Sequence, residues 1–151
     1  MKFLVTKELG RLCKWLRILG YDCEYFIEDN LVSLTIKSLQ EDRVILTRNA
    51  RLSQRAGFKV VHINSDLVKG QLRQVLDVLK LKIGEEEMFT RCVICNVLLE
   101  DIERQEAEDK VPPFVYKTQE DFVKCPKCGK VYWQGTHWGN VKKYLREVGS
   151  L

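Results

Sequence analysis

The stretch KFLVTKELGRLCKWLRILGYDCEYFI, residues 2–27, decides the fold. Lys2-Phe3-Leu4-Val5 is an apolar run of the length of a short buried strand. Leu9, Leu12, Cys13, Leu16 and Leu19 then recur at three- and four-residue intervals, which puts them on one stripe of a helix. Gly20 closes that helix, because glycine takes a left-handed C-cap without a Cβ penalty. Residues 23–27 read as a second strand. A strand, a helix and a strand in succession make a parallel pair joined by a crossover.

The alternation continues downstream. Residues 31–39 read as a second helix, with Asp29 or Asn30 as its N-cap. Residues 43–47 form a third strand, 51–56 a short helix and 58–63 a fourth strand. A last helix runs from about Asp66 to Leu81, with Leu67, Leu72, Val75, Leu76 and Leu79 facing inward. The expected fold class is therefore α/β, a parallel sheet flanked by helices. Ligands of such sheets bind beyond the carboxyl ends of the strands. Those ends are Thr6, residues 27–29, and Thr47-Arg48-Asn49.

After Gly84-Glu85-Glu86-Glu87 the pattern changes, so residues 1–83 are expected to form the α/β domain and 84–151 a second one. In the second, Cys92-Val93-Ile94-Cys95 is answered by Cys125-Pro126-Lys127-Cys128 after 29 intervening residues. Four thiolates in two Cys-x-x-Cys pairs are the donor set of a structural Zn²⁺ site, and the expected module is a zinc ribbon. Two unrelated thiol pairs or two disulfides are the alternative. Gly129 suits the tight turn that points backbone N–H groups at sulfur. Cys13 and Cys23 lie among apolar neighbours and read as buried thiols. Residues 100–109 are strongly acidic, read as a helical or mobile excursion, and are stopped by Pro112-Pro113.

Net charge is +4, unevenly spread. Residues 1–82 hold 15 Lys/Arg against 9 Asp/Glu, and residues 83–151 hold 10 against 12. An anionic polymer would be drawn to the first half. No apolar run approaches the ~18 residues of a bilayer span, so no membrane role is expected. The opening residues lack the apolar run of a secretory signal, and a reducing cytoplasmic setting is expected, where such cysteine pairs favour metal. There is no phosphate-cradling glycine loop, Gly-x-Ser-x-Gly elbow or His-Glu-x-x-His helix.

Three blocks carry a resemblance: FLVTKELGRLCKWLRILGYD, VILTRNARL, and RCVICN with VPPFVY and FVKCPKCGKVYWQGTHW. Together they resemble the Mut-seven C-terminal RNase family, a branch of the PIN-like nucleases with an appended zinc ribbon. The similarity covers nearly the whole chain. It implies a PIN-like sheet, RNA as partner and substrate, and metal-dependent RNA cleavage with Mg²⁺ or Mn²⁺ as cofactor, hence a hydrolase.

The family expects acids after the first strand, at the start of the second helix, and in a Thr-Arg-Asp motif after the third strand. In this sequence those positions are Thr6, Asp29 and Asn49, so Asp29 alone matches. Thr and Asn offer an oxygen but no negative charge to a hard dication. Glu8 and Glu28 are candidate substitutes, although Glu8 also suits a helix N-terminus. Candidate RNA contacts are Arg11, Lys14 and Arg17 on the polar side of the first helix, beside Trp15, and Arg48 and Arg51, with Arg55, past the third strand. Solvated basic faces are the alternative. Trp133 and Trp138, near Lys127, Lys130, Lys142 and Lys143, would either stack bases or pack the ribbon against the sheet domain. His62 and His137 read as structural. Three functions follow: a metal-dependent ribonuclease working through Asp29 with substitute ligands, a non-catalytic RNA- or protein-binding relative with a depleted carboxylate site, or a non-catalytic zinc-ribbon module whose acidic 100–109 segment meets a basic protein partner. Oligomeric state is not legible.

Overall fold

The computed structural model describes residues 1–54, 57 and 59–149, except for the side chains of Thr136 and His137. Arg55, the end of the expected 51–56 helix, Phe58 and the role of the His137 side chain lie outside what is described.

A four-stranded parallel sheet takes the order β2-β1-β3-β4, built from β1 (Lys2–Thr6), β2 (Asp22–Phe26), β3 (Arg43–Thr47) and β4 (Val60–His62). The chain leaves β1 toward β2, then crosses back over β1 to reach β3. The point where it changes direction lies between β1 and β3, and a crevice opens there above the strand ends.

Alternation along the strands splits the core in two. Phe3, Val5, Cys23, Val44 and Leu46 face one way, and Leu4 and Ile45 the other. The first face is covered by α1 (Gly10–Ile18), α4 (Val68–Val78) and the C-terminal α6 (Thr136–Val148), through Leu12, Leu16, Leu72, Val75, Val141 and Leu145. The second is covered by α2 (Leu31–Glu41) and α3 (Ala50–Ser53), through Leu34 and Leu52. Burial on both faces explains why Val44-Ile45-Leu46 in β3 is an unbroken apolar run rather than an alternating one. Asn30, not Asp29, caps α2: its Oδ1 accepts from the amides of Val32 and Ser33 at 3.0 and 3.1 Å.

A smaller antiparallel sheet, order β5-β6-β7, contains β5 (Glu100–Ile102), β6 (Phe122–Lys124) and β7 (Val131–Trp133). Its own small core joins Ala107, Val111, Phe122 and Val131. The acidic 100–109 segment is thus not one helical or mobile excursion. It opens with the edge strand β5 and continues as a 3₁₀ turn, Arg104–Ala107, before α5 (Pro113–Thr118). Glu100 and Asp101 are exposed, which is how an acidic pair fits into an edge strand.

Helix α6 returns to the first sheet. Tyr144 stacks on Trp15 of α1 with ring centroids 4.0 Å apart, and Trp138 packs on Phe89 at 4.9 Å. Met88, Val141, Leu145 and Val148 belong to the same buried cluster as the strands, so one core draws on both sides of residue 83.

Candidate nucleic-acid cleft and metal centre

Above the strand ends lies a cleft of about 270 Å³, lined by Thr6, Glu8, Glu28, Asp29 and Asn49 among others. The structure therefore brings together the positions where the sequence expects site residues. It does not bring their carboxylates together. Among the described residues, the group of three or more acidic, Cys or His side chains close enough to share an ion is made of cysteines, not acids.

Hydrogen bonding shows why. Thr6 Oγ1 at the end of β1 donates to Glu8 Oε1 at 2.6 Å and lies 3.1 Å from Thr47 Oγ1 at the end of β3. Glu8 Oε1 also accepts from the Arg48 amide at 3.1 Å and faces Thr47 Oγ1 at 3.4 Å. Burial opposes the charged form of Glu8, but these bonds outweigh it and hold its carboxyl below the ordinary value of 4.5. Glu8 thus stays an anion pinned across the ends of the two central strands.

Asp29 is exposed, and the ammonium of Lys7 lies 2.7 Å from its Oδ1 and 2.9 Å from its Oδ2. The hydrogen bond and charge of Asp29 in turn raise the Lys7 pKa. Asn49 does not aim its oxygen into the cleft: Oδ1 accepts from the Arg51 amide at 3.0 Å and caps α3. A Mg²⁺ or Mn²⁺ site needs several carboxylate oxygens converging on one point. Here Glu8 is tied to threonines and Asp29 to a lysine. Glu28 lines the cleft without joining them in an ion-sharing group among the described residues. Thr6 and Asn49, where the resemblance expects acids, carry no charge. The residues present do not fit that ion.

The basic candidates divide. Arg11, Lys14 and Arg51 are exposed. Arg17 is not on that face: it is buried, and its Nε donates to Cys23 O at 2.8 Å while Nη1 donates to Val93 O and Ile94 O at 2.8 and 3.0 Å. A guanidinium that satisfies three carbonyls in this way braces two segments, and the expectation that Arg17 is free for phosphate is corrected. Arg48 is engaged too, by Ser65 O at 3.0 Å and Asp66 at 2.5 Å. His62 Nε2 bonds to Arg48 O at 3.0 Å, in keeping with a structural role.

The second centre is the cysteine quartet. The sulfurs of Cys92, Cys95, Cys125 and Cys128 all lie within 4.8 Å of one another. A tetrahedral ion with metal–sulfur bonds of ~2.3 Å needs sulfurs ~3.8 Å apart, and Cys92 Sγ to Cys128 Sγ is 3.8 Å. The two pairs are built alike. Asn96 N donates to Cys92 O and Gly129 N to Cys125 O, each at 2.9 Å, and both residues are left-handed, with φ of 65° and 76°. The amides of Cys95, Lys127 and Cys128 point at sulfur from 3.4 Å.

Tyr132 completes the surroundings, its hydroxyl 3.2 Å from Cys92 Sγ. Burial disfavours the Cys92 thiolate, yet this hydroxyl and the turn amides bring its pKa down to about 6. Cys95 is pushed up to about 12, by burial and by crowding from Cys128, Cys125 and Cys92. Four thiolates resist ionising together unless a cation cancels their repulsion, so the donor set fits a metal ion such as Zn²⁺.

Asn96 and Tyr132 went unnoticed in the sequence as site residues. For Asn96 a signal existed, since it follows its Cys pair as Gly129 follows the other.

Residues 1–145 match the Mut7-C RNAse domain. The chain belongs to the Mut7-C RNAse domain family. Among curated proteins and among solved structures nothing matches it significantly. The family membership agrees with the parallel sheet and the four-cysteine centre, and it makes a ribonuclease-like role the reference against which the Mut7-C cleft is read.

Proposed function

We propose that this Mut7-C protein binds RNA on a nuclease scaffold whose carboxylate site is depleted, so that it retains RNA without cleaving it efficiently. The observation that carries this reading is the cleft itself. Thr6 and Asn49 stand where the resemblance expects acids, and the ammonium of Lys7 rests on Asp29, the one acid that matches it. Lys7 is neutralised by Asp29 and Glu8 stays an anion, so in this reading phosphate is drawn mainly by the exposed basic residues outside the cleft, and the cleft supplies no metal with an open coordination position for an attacking water.

In this reading the exposed Arg11, Lys14 and Arg51, with Lys7, meet the RNA backbone. The cysteine quartet holds Zn²⁺ in a purely structural role, with all four positions filled by protein. Cytoplasmic residence fits the thiol chemistry.

The test is salt-dependent filter retention of a mixed single-stranded and structured RNA pool. Replacing Arg11, Lys14 and Arg51 together by Ala is expected to weaken retention by roughly tenfold or more at moderate salt and to flatten its salt dependence. Retention that ignores salt and these substitutions would overturn the assignment of these residues, and no retention at all would remove RNA binding from the account and turn attention to the protein-binding ribbon module.

A further inference from the structure

Away from the strand-end cleft, an open groove of about 800 Å³ runs between the ribbon and α6. Its floor and walls are apolar and aromatic: Phe89 and Trp138 in contact, with Met88, Val131, Trp133 and Val141. Its charged lining is mostly acidic, with Glu85, Glu86 and Asp121 against Lys130. Glu85 is paired with Lys142 at 3.0 Å, whereas Glu86 and Asp121 are exposed and make no ion pair among the described residues. Lys130 leans over the Tyr132 ring, 5.1 Å from its centroid, and Lys142, paired with Glu85, over the Trp138 ring at 5.5 Å.

We infer that this groove docks a cationic, amphipathic peptide segment of a protein partner, which seats apolar side chains on Phe89 and Trp138 and basic ones on Glu86 and Asp121. The charge of the rim selects the occupant. Carboxylates at the edge of an aromatic floor repel a phosphate backbone, so base stacking on Trp138 is opposed at long range. The same carboxylates speed and orient the approach of Lys or Arg. Apolar floor with charged rim is the usual anatomy of a peptide groove, in which aromatic anchors carry affinity and charges carry selectivity. The groove also lies beside the cysteine quartet through Val93 and Tyr132, whose four thiolates with one Zn²⁺ would leave a net negative charge.

This inference does not depend on RNA binding in the cleft, and its test separates the two. The probe is a labelled synthetic peptide with Leu and Trp on one helical face and Lys on the other, beside a counterpart in which Glu replaces Lys. With the full zinc-loaded chain, the Lys peptide is expected to bind saturably and to shift amide resonances of Phe89, Trp138 and Asp121, while the Glu peptide does not bind. Glu86→Gln and Asp121→Asn together are expected to weaken the Lys peptide severalfold and to leave RNA retention within about twofold. Both positions are exposed, so the variant is expected to fold, and an unchanged thermal midpoint checks that. Equal affinity in the variant, binding of the Glu peptide, shifts scattered away from the groove, or a concentration-dependent dimer abolished by the same substitutions would each overturn the inference.

Discussion

Lys7 Nζ bridges both oxygens of Asp29, at 2.7 and 2.9 Å, in the cleft where the family's acids are expected to gather. The pair is exposed on both sides, at 55% and 81%, so solvent screens it and its worth to stability is small. Its consequence is electrostatic: Lys7 offsets Asp29 in a cleft that Glu8 and Glu28 also line. Lys7→Ala is therefore expected to leave the thermal midpoint nearly unchanged while weakening RNA retention severalfold. A variant with undiminished retention would show that Lys7 only neutralises Asp29.

The zinc centre is coupled to the sheet. Asn96 Oδ1 accepts from Cys23 N at 3.0 Å, and Arg17 ties Cys23 O to the carbonyls of Val93 and Ile94. The first cysteine turn thus covers the free edge of β2. Chelating the metal, or making Cys92→Ser, is expected to remove metal from the protein and to raise hydrogen exchange at the Cys23 amide as well as in the ribbon. Unchanged metal content in Cys92→Ser would refute the four-cysteine assignment.

Asp22 gives a pH signature. Burial works against its charge, but hydrogen bonds from Arg43 and Asn96 prevail and hold it below the ordinary value of 3.8. A group whose pKa is lower folded than unfolded adds stability that is complete above the unfolded value and is lost as pH falls through the folded one. Glu8 has the same sign. Denaturation midpoints are expected to fall steeply below about pH 4, and less steeply in Asp22→Asn. At neutral pH that variant is expected to lose about 1–2 kcal/mol, since the buried Arg43 keeps Glu41 and Glu24 as partners.

Gly20 is fixed by contact as well as by conformation. Its φ is 92°, and a Cβ there would lie 2.3 Å from the carbonyl oxygen of Glu87. Gly20→Ala must strain the backbone and also push away the segment leading to the cysteines. A loss above about 2 kcal/mol is expected in chemical denaturation.

Much of this was legible in the first 27 residues. The apolar stripe from Leu9 to Leu19, the glycine stop and the strand-length runs gave the crossover, and the cysteine spacing gave the metal centre. What escaped depended on contacts distant in sequence. Arg17 looks like a solvated helix residue because its acceptors, Val93 and Ile94, arrive from a turn more than seventy positions later. Strand β5 was hidden because its first two residues are exposed acids and only pairing with β6 makes them a strand. In the cleft, the sequence shows that Thr6 and Asn49 lack charge. It could not show that Glu8 would turn back to Thr6, or that Lys7 would reach Asp29.

The domain division expected at residue 83 remains a proposal, to be weighed against α6, which supplies Val141, Leu145 and Val148 to the core of the first sheet. A fragment of residues 1–83 is expected to expose that face and to show poor amide dispersion. A well-dispersed spectrum would establish 1–83 as an independent unit.

The central claim, a cleft that holds RNA without the carboxylates to cut it, is tested most directly by adding Mn²⁺. The natural chain, Asp29→Ala and the double variant Thr6→Asp/Asn49→Asp would be incubated with the mixed RNA pool, and cleavage and retention followed together. The account predicts retention without cleavage for the natural chain and Mn²⁺-dependent cleavage by the double variant. Mn²⁺-dependent cleavage by the natural chain that Asp29→Ala abolishes would contradict it.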